Sequence, residues 1–196
     1  MGVFPPIQVR FPFVRGFGYV TSLLLSQRTE ENLIAEFFRR SQGHWRSERR
    51  YYTLPDCETK EMVSLITIRF LEQGSPELIQ LAKLHGFDEE IRLFCGAEVI
   101  WDSQESISGR QQSHGKTLFG VIGNQLLRDR GFATSKPVTA QYHFTNPQTL
   151  CLKTEYNGSV FEEELKLVGQ LYRTRQTIIS HAGKQQMIGQ YLEKRL

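Results

Sequence analysis

Cysteine is scarce and scattered in this chain: Cys57, Cys95 and Cys151 are the three among 196 residues. They are odd in number, far apart and show no C-x-x-C spacing. Neither a disulfide framework nor a cysteine zinc site is expected, and a reducing compartment fits best. The five histidines stand singly, so no second set of metal ligands offers itself. A long apolar run is missing as well. Residues 17–25 come nearest, but the stretch is too short and too rich in Gly and Ser to span a bilayer. It also lacks a small-x-small cleavage site, so no secretory leader is expected. There is no block of five or six like charges; residues 46–50 are broken by Ser47 and Glu48. With a net charge of +3, nucleic-acid binding has little to rest on. Glycine-rich phosphate loops, Ser/His/Asp motifs, internal repeats and low-complexity linkers are absent too.

The bulk of the sequence is that of one ordinary globular domain, 39% hydrophobic and 23% charged, long enough to bury a core. Residues 1–28 read as a poorly ordered extension and 29–196 as the folded unit. A helix opens that unit. Thr29 can cap it, Glu30 and Glu31 suit the positive end of its dipole, and Leu33, Ile34, Phe37 and Phe38 form one apolar stripe. Gly43 follows as a stop.

Beyond Gly43 the period changes. Residues 45–54, 60–72, 90–101, 138–145, 149–156, 159–168 and 171–180 alternate β-branched or aromatic residues with polar ones and read as strands. Asn157-Gly158, Asn146-Pro147 and Gly169-Gln170 supply the turns. Residues 76–85 read as a short helix and 124–130 as a second. Many antiparallel strands with one early helix predict a mainly β fold, a closed barrel rather than a βαβ sheet, and small closed barrels hold one ligand inside.

Strand parity singles out three charges. Phe161, Glu163, Leu165 and Leu167 share one face, while Glu162, Glu164 and Lys166 take the solvent side. On the next strand Leu171, Arg173, Arg175, Thr177 and Ile179 share a face. A carboxylate and two guanidiniums on core-facing surfaces are costly unless a polar ligand or each other pairs with them. Glu163 is therefore either a carboxyl tuned to handle a proton or a strand-end residue reaching water. Arg173 and Arg175 are either a double fork for carboxylates or partners of Glu163 or Glu164 across the hairpin, whose register the sequence leaves open. Trp101, on the face of Ala97 and Val99, is core or a flat wall for a conjugated ligand. Cys95 has no histidine near it in sequence and reads as a buried structural thiol.

Several segments resemble the CpcS/CpeS family of phycobiliprotein lyases. Gly43-His44-Trp45 after a helix looks like the G-x-W start of the lipocalin superfamily. Residues 37–49, FFRRSQGHWRSER, are similar to the family opening F-F-x-x-S-x-G-x-W-x-S-Q-R, and residues 95–102, CGAEVIWD, to C-G-A-x-V-x-W-D. Residues 126–133, LLRDRGFA, resemble L-L-R-x-x-G-Y-A. Glu163-Glu164 followed by Arg173-Thr174-Arg175 resembles E-E-R…R-x-R-T, and residues 191–196 the terminal S-E-I-R-L.

The resemblance implies a ten-stranded antiparallel barrel, like lipocalins and fatty-acid-binding proteins, with an N-terminal helix across it. It implies an enzyme with no cofactor of its own. Its bound substrate would be a phycobilin, phycocyanobilin or phycoerythrobilin, which it attaches by a thioether to a cysteine of a phycobiliprotein subunit. The partners would be α or β subunits of phycocyanin, allophycocyanin or phycoerythrin, with a second lyase chain or a homodimer as further options. The setting would be cyanobacterial cytoplasm or plastid stroma. In family terms Arg173 and Arg175 hold propionates, Glu163 and Glu193 contact pyrrole nitrogens or manage protons, and Trp101 packs on the chromophore. Tyr51 and Tyr52 stand where the family commonly has a His pair, which places Tyr51 with the proton-handling groups and Tyr52 with the ligand contacts. A phenol donates a hydrogen bond, but with a pKa of about 10 it replaces an imidazole poorly as a base. That substitution, and Leu165, Lys166, Leu167 and Val168 standing where an aromatic pair is expected after E-E-R, keep a second role open: a non-catalytic bilin carrier, or one chain of a two-chain lyase. A general fatty-acid or haem binder is a third class.

Overall fold

A computed structural model describes residues 17–54, 58–88, 90–105 and 111–196. Helix α1 (Phe17–Ser41) leads into β1 (Gly43–Thr53) and β2 (Glu58–Glu72); α2 (Pro76–Leu84) then precedes β3 (Cys95–Glu105). The remaining strands follow one another: β4 (Gln111–Ile122), β5 (Gln125–Arg128), β6 (Val138–Asn146), β7 (Thr149–Tyr156), β8 (Ser159–Val168), β9 (Tyr172–His181) and β10 (Lys184–Arg195). Each strand pairs antiparallel with its sequence neighbours, and β10 returns to β1, so the described residues close into a ten-stranded barrel with no free edge.

The alternation expected on each strand is present. Trp45, Ser47, Ile66, Ala97, Phe161, Glu163, Leu167 and Arg173 are buried, while their chain neighbours Arg46, Glu162 and Glu164 are exposed. The stripe on α1 is also present: Ile34, Phe37 and Phe38 are buried against Trp45, Ile66, Ile68, Cys95 and Val121 at one end of the barrel. Phe37 meets Phe144 edge to face at 5.9 Å. The Glu31 carboxylate ties the helix to the β4–β5 turn by accepting the Gly123 amide at 2.9 Å.

That end is firmly sealed. Gly43 takes a φ of +123°, a conformation that costs a side-chain-bearing residue dearly, and turns the chain from α1 into β1. Two residues on, the Trp45 indole donates to the Ser41 carbonyl at 2.8 Å. Its ring lies between the guanidiniums of Arg195, 4.2 Å away, and Arg173, 5.1 Å away. Arg195 in turn donates to the carbonyls of Arg40, Gln42 and Gln170. One side chain near the chain end thus staples helix, first strand and the β8–β9 turn together.

Helix α2 covers the outer wall. Leu78, Leu81 and Ala82 bury themselves against Leu71, Leu93, Leu118 and Leu127, forming a second core outside the barrel.

Four expectations need correction. Residues 124–130 are not a helix. They contain the four-residue strand β5, whose adjacent Leu126 and Leu127 are both buried because one joins the inner core and the other the core beneath α2. A strand covered on both faces loses its alternation, and Gln-Leu-Leu-Arg has good helix propensity, so the local signal pointed the wrong way. The strand expected from residue 90 begins at Cys95 and runs on to Glu105. Strands β4 and β10 had no counterpart in the expectation, since Gly115, Gly120 and Gly189 interrupt them and weaken the β pattern. Finally, the helix expected to start at Thr29 runs from Phe17, so Thr29 lies within it. Residues 1–16 of the expected extension, and Cys57, lie outside the described residues.

Candidate functional site

Inside the barrel is a cavity of about 560 Å³, in the range of pockets that enclose one small-molecule ligand. Phe37, Phe38 and Ser41 of α1 contribute its floor and residues 130–135, between β5 and β6, its rim. Apolar walls come from Ile66, Ile68, Val99, Leu150 and Leu152. Trp101 lies flat on one side because Gly115, opposite it on β4, has no side chain: a Cβ there would be 2.7 Å from the indole.

The polar half is dominated by arginine. Arg49, Arg128, Arg130, Arg173 and Arg175 line the cavity against two carboxylates, Glu163 and Glu193. Register explains the pairings that the sequence left open. Glu193 on β10 sits directly opposite Arg173 on β9, and the two form a salt bridge with side chains 1% and 7% exposed. The other Glu193 oxygen accepts from the Ser47 hydroxyl at 3.3 Å. Glu163 on β8 is opposite Thr177, and reaches diagonally to Arg175 through Oε2. Its Oε1 accepts from Arg128 Nη1 at 3.3 Å. Glu164 points outward, as parity requires, and stays exposed.

These groups perturb one another. Burial drives the Glu193 carboxyl up, but the charge and hydrogen bond of Arg173, with Arg175 and Arg49 behind it, outweigh that and hold it below the usual carboxylate range. Burial pulls Arg175 down, yet Glu163, Tyr191 and Glu193 more than compensate and fix its charge. The Tyr191 phenol is pushed up to about 12, chiefly by burial and against the pull of Arg175. It therefore remains a hydrogen-bond donor at neutral pH.

Of the residues singled out from sequence, Glu163, Glu193, Tyr51, Arg173, Arg175 and Trp101 all line the cavity. Tyr52 does not. Adjacent strand residues face opposite ways, so with Tyr51 inside, Tyr52 lies outside, where it interacts with the Arg50 guanidinium. Cys95 is buried outside the cavity lining and its thiol is pushed up to about 12 by burial, which fits the structural thiol expected from the sequence.

The structure adds three residues that sequence reading passed over. Arg128, 6% exposed, has its guanidinium between the rings of Phe119 at 4.9 Å and Phe132 at 4.8 Å. It was hidden by the helical reading of its segment. Tyr191 meets Tyr51 edge to face at 5.8 Å, beneath the guanidiniums of Arg175 and Arg49. Its parity with Glu193 could have revealed it. Arg49 shares the inward parity of Trp45 and Tyr51. Its Nε is buried without a hydrogen-bond partner, and no carboxylate among the described residues forms a salt bridge with it.

Comparison with known proteins gives a consistent picture. The family model described as CpeS-like protein matches residues 33–196. The "Putative phycocyanobilin lyase CpcS 2" of Nostoc sp. strain PCC 7120 is 66% identical over 172 residues, covering 88% of this chain and 96% of the relative. The phycocyanobilin lyase subunit CpcS of Picosynechococcus sp. strain PCC 7002 is 29% identical over 156 residues, covering 76% and 78%. Among solved structures, the S-type phycobiliprotein lyase CPES of Guillardia theta superposes with a TM-score of 0.69 at 22% identity, over 88% of this chain and 96% of the other. That likeness supports the fold.

Proposed function

The chain belongs to the CpeS-like family, and on that premise we propose that it is a chromophore lyase. It takes up an open-chain tetrapyrrole and delivers it to a cysteine of a phycobiliprotein subunit. The observation that carries the reading is the imbalance inside the barrel, five arginines against two carboxylates among apolar and aromatic walls. Such a lining is complementary to an elongated apolar guest bearing two acidic groups, and a bilin with its two propionates is one. Arg49 has no carboxylate salt-bridge partner among the described residues, and Arg175, 22% exposed, is the most exposed of the guanidiniums paired with Glu163 or Glu193; these two take the propionates. Arg173, locked to Glu193, supports the wall from behind. Trp101 stacks on a pyrrole ring, and Glu163, Glu193 and the Tyr51–Tyr191 pair meet the nitrogens and ring carbonyls.

The chemistry adds a thiol across the bilin's ethylidene double bond. A carbon–sulfur bond forms at the ethylidene carbon, and the proton ends on the neighbouring ring carbon, with no net oxidation. The thiol comes from the acceptor. This chain's part is to hold the guest in one conformation, exclude water and fix its protonation. Its site of action follows the acceptor: cyanobacterial cytoplasm or plastid stroma.

A second reading has one observation in its favour. No histidine lines the cavity among the described residues, so the site offers no imidazole base, as befits a carrier or one chain of a two-chain lyase. Reconstitution separates the two. Purified protein, phycocyanobilin and apo-subunits are incubated, then denatured in acid and scored for covalent adduct. An adduct formed faster and with a cleaner spectrum than in the protein-free control supports the lyase; binding without transfer supports the carrier.

A further inference from the structure

Glu163 is held by two guanidiniums in a cavity that is to receive an N–H-bearing guest. Its side chain is 2% exposed and both oxygens are engaged, one by Arg128 and one by Arg175. The two arginines differ. The Arg128 side chain is 7% exposed and clamped between Phe119 and Phe132, and the residue's backbone carbonyl accepts from His85 Nε2 at 2.9 Å. The Arg175 side chain is 22% exposed and lies over the Tyr191 and Phe132 rings. The trio carries one positive charge in excess, and the Nε atoms of both arginines are buried without partners. One more anion is what this cluster lacks.

We propose that the cluster works by carboxylate exchange, with Arg128 as the positioning residue. A carboxylate of the guest takes Arg175 and displaces Glu163 from it. Arg128 keeps hold of Oε1, so Glu163 stays ionised and in place while Oε2 is released toward the guest. Oε2 then accepts a pyrrole N–H. The cluster becomes neutral without moving a proton, and the hydrogen bond to the ring nitrogen forms only after an acidic side chain has docked. The device rests on the bilin reading and would make the site respond to free propionates rather than to the tetrapyrrole alone.

Phycocyanobilin and its dimethyl ester separate these claims by absorbance titration of the full chain. A ring nitrogen held by a carboxylate favours the protonated, red-shifted chromophore. The free acid is expected to give that red-shifted band and the ester, where it binds, to lack it. With the free acid, Arg128→Met should bind without the band and Arg128→Lys should restore it in part; a merely structural arginine would not tie the band to its charge. If acid and ester give the same band, the exchange is wrong. If Arg128→Met keeps the band, Arg128 has no positioning role. If neither compound binds, the bilin reading fails and takes the exchange with it. Should Arg128→Met not fold, the comparison of acid with ester on the unaltered chain decides by itself.

Discussion

At the scale of single residues, two arginines that line the same cavity carry opposite expectations. Arg173 and Glu193 are both buried and paired, so removing one strands the other's charge away from water. Arg173→Ala should cost about 3–5 kcal/mol of stability, read from urea denaturation. Arg49 forms no salt bridge with a carboxylate among the described residues, so its removal strands none of them. Arg49→Met should leave stability nearly unchanged and weaken bilin binding by about 1.5–3 kcal/mol, the range for a charge-assisted hydrogen bond, read by absorbance titration. If the two effects came out reversed, the division between wall and anchor would be wrong. Glu193 adds a pH signature. Its carboxyl is held below the ordinary value of 4.5 in the fold, so the unfolded chain binds a proton more readily. The pair's stabilisation is therefore complete above about pH 4.5 and fades as pH falls further. Denaturant midpoints measured from pH 7 to pH 3 should drop in that window.

At the scale of elements, legibility followed the environment of each face. Strand β8 was plain because Phe161 and Glu163 face inward while Glu162 and Glu164 face water, and this alternation exposed Glu163 as an anomaly. Strand β9 gave up Arg173 and Arg175 in the same way. Their partners stayed hidden because diagonal pairing depends on register, which turn lengths and closure set. Strand β5 misled for the opposite reason, being covered on both sides, and the helical reading concealed Arg128. Tyr52 was drawn into the site by its family position although parity against Tyr51 argued otherwise. The outer core tests the element account: Leu81, 1% exposed on the inner face of α2, should cost about 2–5 kcal/mol when cut to Ala. Since α2 lies outside the barrel, bilin affinity measured on the folded fraction should hardly change.

At the scale of the whole molecule, closure by β1 and β10 makes the barrel one cooperative unit, and a guest inside it should act on the unit as a whole. A ligand that binds only the closed form adds about 2.7 kcal/mol at a hundred times its dissociation constant. Phycocyanobilin at that excess should raise the thermal midpoint by several degrees, and the dimethyl ester at the same concentration should raise it less. Equal shifts for both would mean that the arginines contribute little to holding the guest. Closure was foreseen from hairpin turns such as Asn157-Gly158, whereas the count of ten rested on family resemblance, because glycine-interrupted β4 and β10 leave too faint a periodic trace.

The Arg195 staple has a consequence for direction. With Trp45 wedged under α1 and three carbonyls gripped by one guanidinium, the barrel is a blind alley, and cargo must back out by the way it came in. Whichever ring enters last is the ring shown to the acceptor. The orientation of the finished chromophore on its cysteine is then decided at loading, before donor and acceptor ever meet.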